Sequence, residues 1–402
     1  MTALPGPWWT ASATTAAGEE AGAIPARSRH CHRGEHPGSQ ELSPPVSSNQ
    51  GVDTLSEDIT PCAAACRGRS ATPRPASGPL PPDPSPADPM GADRVFAYGA
   101  AAGLLGDLLL GDPRRGHPVA AFGRAAAAVE RVLWRDDRGR GAVHTAVCVG
   151  GTVALGSLAA RLVRSSPAAS AALTGVATWA VVGGTSLARE ARAIGRALEA
   201  GDVEAARARL PHLCGRDPQA LDADGIARAV VESVAENTSD AVVGALVWGA
   251  VAGVPGLLGF RAVNTLDAMV GHKSPRYRRY GWASARLDDV AGWPGARLTA
   301  VLAALAGPDP RGAVRAWRAD AAKHPSPNAG PVEASFAGAL GVRLGGTLSY
   351  GGRVEHRPVL GGGGRAVAVS DIDRAVRLSR RVGWLALGAG VAARSVMKGR
   401  AS

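Results

Sequence analysis

The sequence predicts an all-α fold, a polytopic integral membrane protein with about four to six membrane-associated helices. Three stretches of the 402-residue chain contain no Asp, Glu, Lys or Arg. Each is long enough for a helix that crosses a bilayer, which takes about 20 residues. Aromatic residues make up only 4% of the chain, so its apolar character comes from Ala, Val, Leu and Gly, which let membrane helices pack closely. The charge-free stretches are 141–160, 165–188 and 241–260.

The first part of the chain differs in composition from the rest. Residues 1–89 hold 15 of the 29 Pro and show no apolar periodicity. They cannot bury enough apolar surface to offset the entropy lost on ordering. We expect 1–89 to be a disordered, Pro-rich extension, or to result from an upstream start misread ahead of Met90. The folded membrane domain is predicted to span 90–402.

Shorter apolar segments predict further membrane-associated helices, and the polar segments between them bear on the topology. The segment 112–140 carries seven Arg, which places it in the cytoplasm by the positive-inside rule. Strict alternation of spans would put 189–239 and 261–297 on opposite sides of the membrane. Pro255 and the glycines around it also allow a re-entrant segment, and the sequence leaves both topologies open. The shorter candidates are 95–111, 298–307 and 382–393.

Charge and cysteine usage exclude several classes of protein. The net charge is +11, but the basic residues are interrupted by apolar runs and lack an aromatic stacking platform, so we expect no nucleic-acid partner. The five Cys are scattered without a CxxC pair, which argues against a disulfide framework and against a zinc ribbon. The chain contains no G-x-x-x-x-G-K-[ST] motif, so a nucleotide would be bound without a P-loop.

The segment 228–240 places charged side chains directly before a charge-free stretch. Carboxylates at a membrane boundary are costly unless they are paired or metal-bound, which favours a functional role. The alternative is a solvent-exposed face that carries an Arg228–Glu232 ion pair. Helix spacing alone does not decide between them. A charged residue recurs here every four positions, which gives one polar stripe on a helix: Arg228, Glu232, Glu236 and Asp240.

Two further clusters contain residue types that bind Mg²⁺ and phosphate. Mg²⁺ takes one or two carboxylates together with phosphate oxygens, and Lys and Arg bind phosphate. Only three of the 45 basic residues are Lys, and two of them lie in these clusters. The second cluster is a loop stiffened by two prolines. The first cluster contains Asn264, Asp267, His272, Lys273, Arg276, Arg286, Asp288 and Asp289, and the second contains Lys323, His324, Ser326 and Asn328.

The motifs in these clusters, taken together, make the chain recognisable. It resembles the CobD/CbiB family, the adenosylcobinamide-phosphate synthases of cobalamin biosynthesis, over essentially all of 92–393. Residues 1–89 match nothing in that family. The chain has Ala241 where the family usually has Gly, and it departs again in 291–297; both differences affect packing more than charge. The matching motifs lie at 111–123, 232–240, 264–267, 281–289, 323–330 and 338–341.

The resemblance implies an ATP-dependent amide ligation by a multi-pass protein of the cell membrane. The propionate of adenosylcobyric acid would be joined to (R)-1-amino-2-propanol phosphate, or to free aminopropanol, giving adenosylcobinamide phosphate or adenosylcobinamide. ATP and Mg²⁺ are the expected cofactors, because a carboxylate condenses with an amine only after its oxygen becomes a better leaving group. The lipid bilayer and other cobalamin-assembly enzymes are the further expected partners.

We assign roles in this reaction to the residues of the clusters as predictions. The catalytic candidates are Glu232, Glu236, Asp240, Lys273, Lys323 and His324. The candidate Mg²⁺ ligands are Glu236, Asp240, Asp288 and Asp289. The candidates for substrate binding are Asn237, Asn264, Asp267, Arg276, Arg286, Ser326, Asn328 and His117, the last of which has a structural role in its turn as the alternative.

Two other functions stay open on the sequence. A non-catalytic membrane scaffold or transporter that handles corrinoids would account for the spans and for the carboxylates at the membrane edge. It would not account for the two Lys-bearing loops. A membrane phosphotransferase would yield a phosphorylated product without a new amide.

Overall fold

The computed structural model describes residues 91–112, 116–350 and 353–401, so the predicted extension 1–89 lies outside the described residues. In this part of the chain nearly all regular structure is helical, which confirms the all-α fold class. The helices are α1 (Ala92–Leu110), α2 (Pro118–Leu133), α3 (Arg138–Val163), α4 (Pro167–Val181), α5 (Gly184–Glu199), α6 (Val203–Arg209), α7 (Ala223–Thr238), α8 (Gly244–Val270), α9 (Trp282–Ala306), α10 (Pro310–Asp320), α11 (Ala329–Leu340) and α12 (Ser370–Ala401). The strands are β1 (Leu344–Tyr350) and β2 (Arg353–Leu360).

Three helical stretches in the described residues are long and apolar enough to cross a membrane, judged by length and composition. They are Arg138–Val163, Pro167–Glu199 and Ala223–Val270, and they coincide with the three stretches predicted from the absence of charge. Only 6% of the apolar window in Arg138–Val163 is buried by the rest of the protein, so α3 presents most of its apolar surface outward. These properties are those of an all-α membrane protein.

Short capping sequences explain where several helices begin. Ser166 accepts a hydrogen bond from the N–H of Ala169, and Pro167 occupies the first turn of α4. Asp222 caps α7 in the same way. At the start of α2, His117 Nδ1 accepts a hydrogen bond from the N–H of Val119, so this imidazole caps a helix. This contact accounts for a structural role of His117, and its role in substrate binding stays a prediction.

Helices α1 and α4 lie in close contact because glycines on α1 face threonines on α4. A Cβ atom at Gly99 would lie 2.6 Å from Thr174 Cβ, and one at Gly103 would lie 2.5 Å from Thr178 Cβ. No real side chain fits at such distances, so the contact depends on both glycines. Close approach of backbones through small residues is the usual packing of helices in membranes.

The predicted span 165–188 is divided into two helices. Helix α4 ends at Val181, Val182 is extended with ψ 133°, and α5 begins at Gly184. The reason is local, because Gly183 and Gly184 interrupt the apolar run and glycine is a poor helix former. The buried Oδ2 of Asp107 accepts a hydrogen bond from the N–H of Thr185 and satisfies one free donor at the new helix start.

The third predicted span, 241–260, reverses direction in its middle. Gly253 has φ 64° and ψ −145°, a conformation that is essentially restricted to glycine, and Pro255 follows it. Gly249 then faces Leu257, with 2.8 Å between a Cβ built on the glycine and Leu257 Cδ2, and Gly244 packs on the ring of Phe260. The arms 244–252 and 254–270 therefore form an antiparallel helical hairpin. This result supports the re-entrant alternative for 241–260.

Helix α9 and a pair of strands complete the part of the fold that surrounds this hairpin. Helix α9 crosses the base of the hairpin at Gly295, where a Cβ would lie 2.8 Å from Gly244 Cα. Strands β1 and β2 pair antiparallel, with Gly346 opposite Arg357 and an irregularity between Leu344 and Gly346. The sequence did not indicate this strand pair, because β1 contains two glycines and shows no alternating apolar pattern.

Candidate functional site

The last turn of α7 presents two carboxylates at the base of the helical hairpin. The helix continues into a π-helical turn, Ser239–Val243, which contains Asp240; turns of this kind are frequent at functional sites. The side chain of Glu236 is exposed to solvent, yet charged groups from several segments of the chain act on its carboxylate, which indicates that it lines a cleft. The guanidinium groups that act on Glu236 most strongly are those of Arg357 and Arg216.

The second arm of the hairpin brings polar residues of α8 back to this cleft. Arg261 is buried, and its Nη1 donates to the backbone oxygen of Asp240 at 3.5 Å and to Asn264 Oδ1 at 3.2 Å. Asp267 lies one turn further along and acts electrostatically on Asp240. The reversal at Gly253 thus joins two of the clusters that the sequence predicted separately.

Helix α9 adds Asp288 and Asp289 to the same cleft. Burial raises the pKa of Asp288 to about 8, and the negative charge of Asp267 acts in the same direction. A hydrogen bond from Asn264 opposes this shift. The second oxygen, Oδ1 of Asp288, is buried and has no hydrogen-bond partner among the described residues. A buried carboxylate oxygen without a partner is costly, so Oδ1 of Asp288 is a candidate position for a cation or a hydrogen-bond donor.

A second group of charges lies on the other side of Glu236. Arg216 donates to Glu232 Oε2, and the N–H of Gly345 in β1 donates to Glu232 Oε1 at 2.6 Å. Glu232 is 3% exposed, so the polar stripe of α7 is not a solvent-exposed face at this position. Both carboxylate oxygens of Glu232 thus accept hydrogen bonds, and one of these bonds connects α7 to the start of β1.

Helix α11 contributes a further buried carboxylate, Glu333. Its Oε1 lies 3.9 Å from Nε2 of His324, and both side chains are less than a tenth exposed. The Nδ1 atom of His324 accepts the N–H of Ser326 at 3.1 Å, which fixes the imidazole ring in the loop before α11. Burial lowers the pKa of His324, so the imidazole is held in its neutral form.

No three His, Cys, Asp or Glu side chains in the described part of the chain are grouped so as to hold a metal ion by themselves. Four carboxylates nevertheless act on one another across the cleft. Mg²⁺ needs only one or two carboxylates when phosphate oxygens complete its shell. The oxygen donors of the cleft, with the unpartnered Oδ1 of Asp288 among them, fit that requirement.

The comparisons with known proteins agree with these motifs. A family model described as CobD/Cbib protein matches residues 100–379. The chain belongs to the CobD/CbiB family. A relative in Mycobacterium tuberculosis (strain ATCC 25618 / H37Rv), named "Cobalamin biosynthesis protein CobD", is 58% identical over 291 residues, which cover 71% of this chain and 92% of the relative.

More distant relatives carry the same name. The protein of that name in Chromobacterium violaceum is 44% identical over 292 residues, covering 70% of this chain and 91% of the relative. The one in Rhodobacter capsulatus is 42% identical over 283 residues, covering 68% of this chain and 90% of the relative. No solved structure matches the chain.

Several predicted site residues of this CobD/CbiB chain lie outside the cleft contacts. Lys323 is half-exposed and pairs with Asp320, with 2.7 Å between Nζ and Oδ1. Arg276 donates to Glu130 Oε1 at 3.2 Å and stacks on Trp134, with 4.6 Å between the guanidinium carbon and the ring centroid. Roles for these side chains in binding phosphate stay predictions.

The remaining predicted residues hold elements near the cleft together. Asn328 donates to the backbone oxygen of Asp289 at 2.9 Å and accepts from Arg297, so it joins the second cluster to α9. Ser326 Oγ accepts the N–H groups of two residues at the start of α11. Asn237 donates to the backbone oxygen of Ser233 within α7. Lys273 and Arg286 are exposed, and Nη1 of Arg286 lies 3.4 Å from Oδ2 of Asp289.

Sequence reasoning missed several charged residues of this CobD/CbiB site. Glu333 lies within the otherwise uncharged helix 329–340, and a lone carboxylate in an apolar helix was a usable signal. Arg261 directly follows the charge-free stretch 241–260, and a charged residue at the end of an apolar helix was a similar signal of function. Arg216 and Arg357 lie in polar segments, and only the folded chain brings them to the carboxylates of α7.

Proposed function

We propose that this protein is an ATP-dependent ligase of cobalamin biosynthesis that joins an amine to a corrinoid carboxylate. The family and the names of the relatives support a role in cobalamin biosynthesis. The observation that carries the ligase proposal is the acidic cleft with the unpartnered Oδ1 of Asp288. Such a cleft suits a Mg²⁺–phosphate group better than it suits a bare anion.

The expected reaction has two stages. The propionate of adenosylcobyric acid attacks the terminal phosphorus of ATP, which releases ADP and gives an acyl phosphate. The amine of (R)-1-amino-2-propanol phosphate, or of free aminopropanol, then attacks the acyl carbon and displaces phosphate. The product is adenosylcobinamide phosphate or adenosylcobinamide. An enzyme lowers both barriers by holding the reactants together and by stabilising the charge that develops on phosphate.

The cleft divides these tasks between its residues. Asp288, with Asp240 or Glu236, would hold Mg²⁺, which would neutralise phosphate charge when bound. Arg261 is fixed by Asp240 and Asn264, and so it holds a positive charge beside the metal position. Lys273, Arg276 and Lys323 lie on loops at the surface and would bind the outer parts of the substrates if those loops close on them.

The membrane bears on the substrates as well as on the fold. We propose a multi-pass protein of the cell membrane, since Arg138–Val163 and Pro167–Glu199 meet the length and composition of spans and the hairpin of α8 would enter the bilayer as a re-entrant segment. A large corrinoid would then approach the cleft from the polar end of the hairpin, where α7, α8 and α9 meet. Other enzymes of cobalamin assembly are the expected neighbours in that position.

One assay tests the ligase. Membranes that contain the full chain are incubated with adenosylcobyric acid, Mg-ATP and aminopropanol phosphate, and corrinoid products are identified by mass. We expect a product heavier by the amine minus water that forms only with ATP. Membranes with the Asp240→Ala variant at equal abundance should form none. An inactive wild-type chain that is folded and membrane-inserted would contradict the ligase.

A corrinoid transporter is the second candidate, and the hairpin is the observation that favours it. Helices broken near the middle of an apolar stretch are a common feature of transporter substrate sites. A transporter would move labelled corrinoid across a vesicle membrane without consuming ATP in an amine-dependent way. The same membranes, sealed as vesicles and loaded with corrinoid, distinguish the two functions.

A further inference from the structure

We infer that Glu333 is the catalytic base that removes a proton from the ammonium group of the incoming amine. The inference rests on the proposed ligase function and names the one proton acceptor that this reaction needs. Glu333 lies in α11 and is 5% exposed. Its carboxylate faces the imidazole of His324 across 3.9 Å, and the negative charge of Glu236 acts on it.

Three other buried carboxylates, those of Glu232, Asp371 and Asp320, have cationic partners. Glu232 accepts hydrogen bonds from Arg216 and from the N–H of Gly345. Asp371 is paired with two arginines, and Asp320 with Lys323. Glu333, in contrast, makes no ion pair with Lys or Arg within 4.0 Å in the described residues. A carboxylate without a cationic partner keeps its basicity, and a carboxylate held by Arg does not.

The imidazole of His324 faces the carboxylate of Glu333 without forming a hydrogen bond to it. Nδ1 of His324 lies 3.1 Å from the backbone nitrogen of Ser326 and 3.3 Å from its backbone oxygen, and these contacts hold the ring with Nε2 facing Glu333. The distance of 3.9 Å from Nε2 to Oε1 is too long for a hydrogen bond, and Nε2 has no other partner among the described residues. Glu333 therefore keeps an oxygen free for an N–H donor that enters beside the imidazole.

The charges around Glu333 suit a primary ammonium group. Burial raises the pKa of Glu333 well above its usual value, and the negative charges of Glu232 and Glu236 act in the same direction. A raised pKa makes the carboxylate a stronger proton acceptor. Two nearby carboxylates also attract a cation. The charged and titratable groups that face Glu333 are Glu232 and Glu236 of α7, Arg216 from the segment before α7, Arg357 of β2, and His324.

The proton balance of the step is complete. The ammonium gives one proton to the carboxylate of Glu333 and becomes a neutral amine. The amine nitrogen forms a bond to the acyl carbon of the acyl phosphate, and the bond from that carbon to the phosphate oxygen breaks. Phosphate leaves with the electron pair and takes the second proton of the nitrogen. The products are the amide, hydrogen phosphate and protonated Glu333, which returns its proton to water.

Hydroxylamine provides a test that isolates this step, because it is mostly neutral at neutral pH and needs no base. Full-length wild type and Glu333→Gln are assayed in membranes with adenosylcobyric acid, Mg-ATP and either aminopropanol phosphate or hydroxylamine. We expect Glu333→Gln to lower amide formation with aminopropanol phosphate by about 100-fold or more. It should form the corrinoid hydroxamate from hydroxylamine at the wild-type rate.

Two controls complete the design. Glu190→Gln removes the carboxylate of Glu190 in α5, which is paired with Arg209 in α6. This variant should leave the yields of both products unchanged. Glu333→Asp keeps a base with a shorter reach and should recover part of the amide formation. Equal losses of amide and hydroxamate in both Glu333 variants, or wild-type amide formation by Glu333→Gln, would overturn the inference. Neither product from wild type would instead contradict the ligase itself.

Discussion

The backbone oxygen of Asp240 accepts a hydrogen bond from Nη1 of Arg261 at 3.5 Å, although the two residues are 21 positions apart in an apolar helical stretch. In a straight helix they would be about 30 Å apart. The turn at Gly253 makes the contact possible, and the contact places a buried positive charge beside the carboxylates of α7. The composition of the cleft therefore depends on one backbone conformation.

Gly253→Ala should destabilise the hairpin. The native φ of 64° with ψ −145° is nearly inaccessible to a residue with a Cβ, and such strain costs about 1–3 kcal/mol. A Cβ at Gly253 would meet no atom within 4 Å, so backbone strain is the whole expected effect. We expect a lower thermal midpoint of the detergent-solubilised protein. Gly150→Ala is the matched control, because Gly150 has the same free space in the regular helix α3. An equal effect in both variants would refute the explanation.

Arg216→Met should destabilise the protein strongly. It leaves the carboxylate of Glu232 buried with only the N–H of Gly345 as partner, and loss of one member of a buried pair costs about 3–5 kcal/mol. The double variant Arg216→Met/Glu232→Gln should recover most of that loss, since a neutral amide oxygen still accepts from Gly345. The free energy of unfolding of all four proteins in detergent measures the coupling. Additive losses would show that the two side chains act independently.

Stability should fall in acid partly through Asp371. Burial would raise its pKa, but hydrogen bonds from Arg365, the N–H of Ala368 and Arg374 outweigh burial and hold the pKa below the usual 3.8. A lowered pKa in the folded state stabilises the protein above the unfolded-state pKa, and that stabilisation is lost as the pH falls through the folded-state pKa. Asp371→Asn should therefore lower the free energy of unfolding at neutral pH, and the difference from wild type should shrink below about pH 4. A difference that does not vary with pH would contradict this origin.

Asp288→Asn should weaken the response to Mg²⁺. The change removes the negative charge that Asp288 would carry with Mg²⁺ bound, while keeping the shape of the side chain. We expect amine-dependent ATP consumption to need a higher Mg²⁺ concentration, by about 10-fold or more, as for one lost charged interaction of about 1.4 kcal/mol. Asp136→Asn is the control, since Asp136 is an exposed partner of Arg279 at 3.8 Å. An unchanged Mg²⁺ titration would remove Asp288 from the metal site.

Much of the fold could be predicted from local properties of the sequence. The charge-free stretches of the sequence predicted the positions of α3 and of the hairpin. The glycine pair at 183–184 lies where α4 ends and α5 begins. The site clusters were also recognisable, because carboxylates and carboxamides beside an apolar stretch are rare without a reason. Asp240, Asn264 and Asp288 do lie together around one cleft.

The rest depends on contacts between residues that are far apart in the chain. Pro255 allowed a re-entrant segment, but only the packing of Gly244 on Phe260 shows that the two arms meet. The sequence predicts Glu232 as an active-site or exposed residue, whereas Arg216 and Gly345 enclose it from two distant segments. The strand pair also escaped prediction, because its glycine-rich sequence shows no alternating pattern over β1.

The helical hairpin bears on how substrates would reach the cleft. The two ends of the hairpin lie together, since Gly244 packs on the ring of Phe260 and Arg261 reaches the backbone oxygen of Asp240, so the polar groups of the cleft are gathered at one end of the hairpin. In the proposed ligase, the polar nucleotide, amine and corrinoid would then meet at that end without any of them crossing the hydrocarbon core of the bilayer. The membrane would serve to anchor such an enzyme rather than to take part in its chemistry.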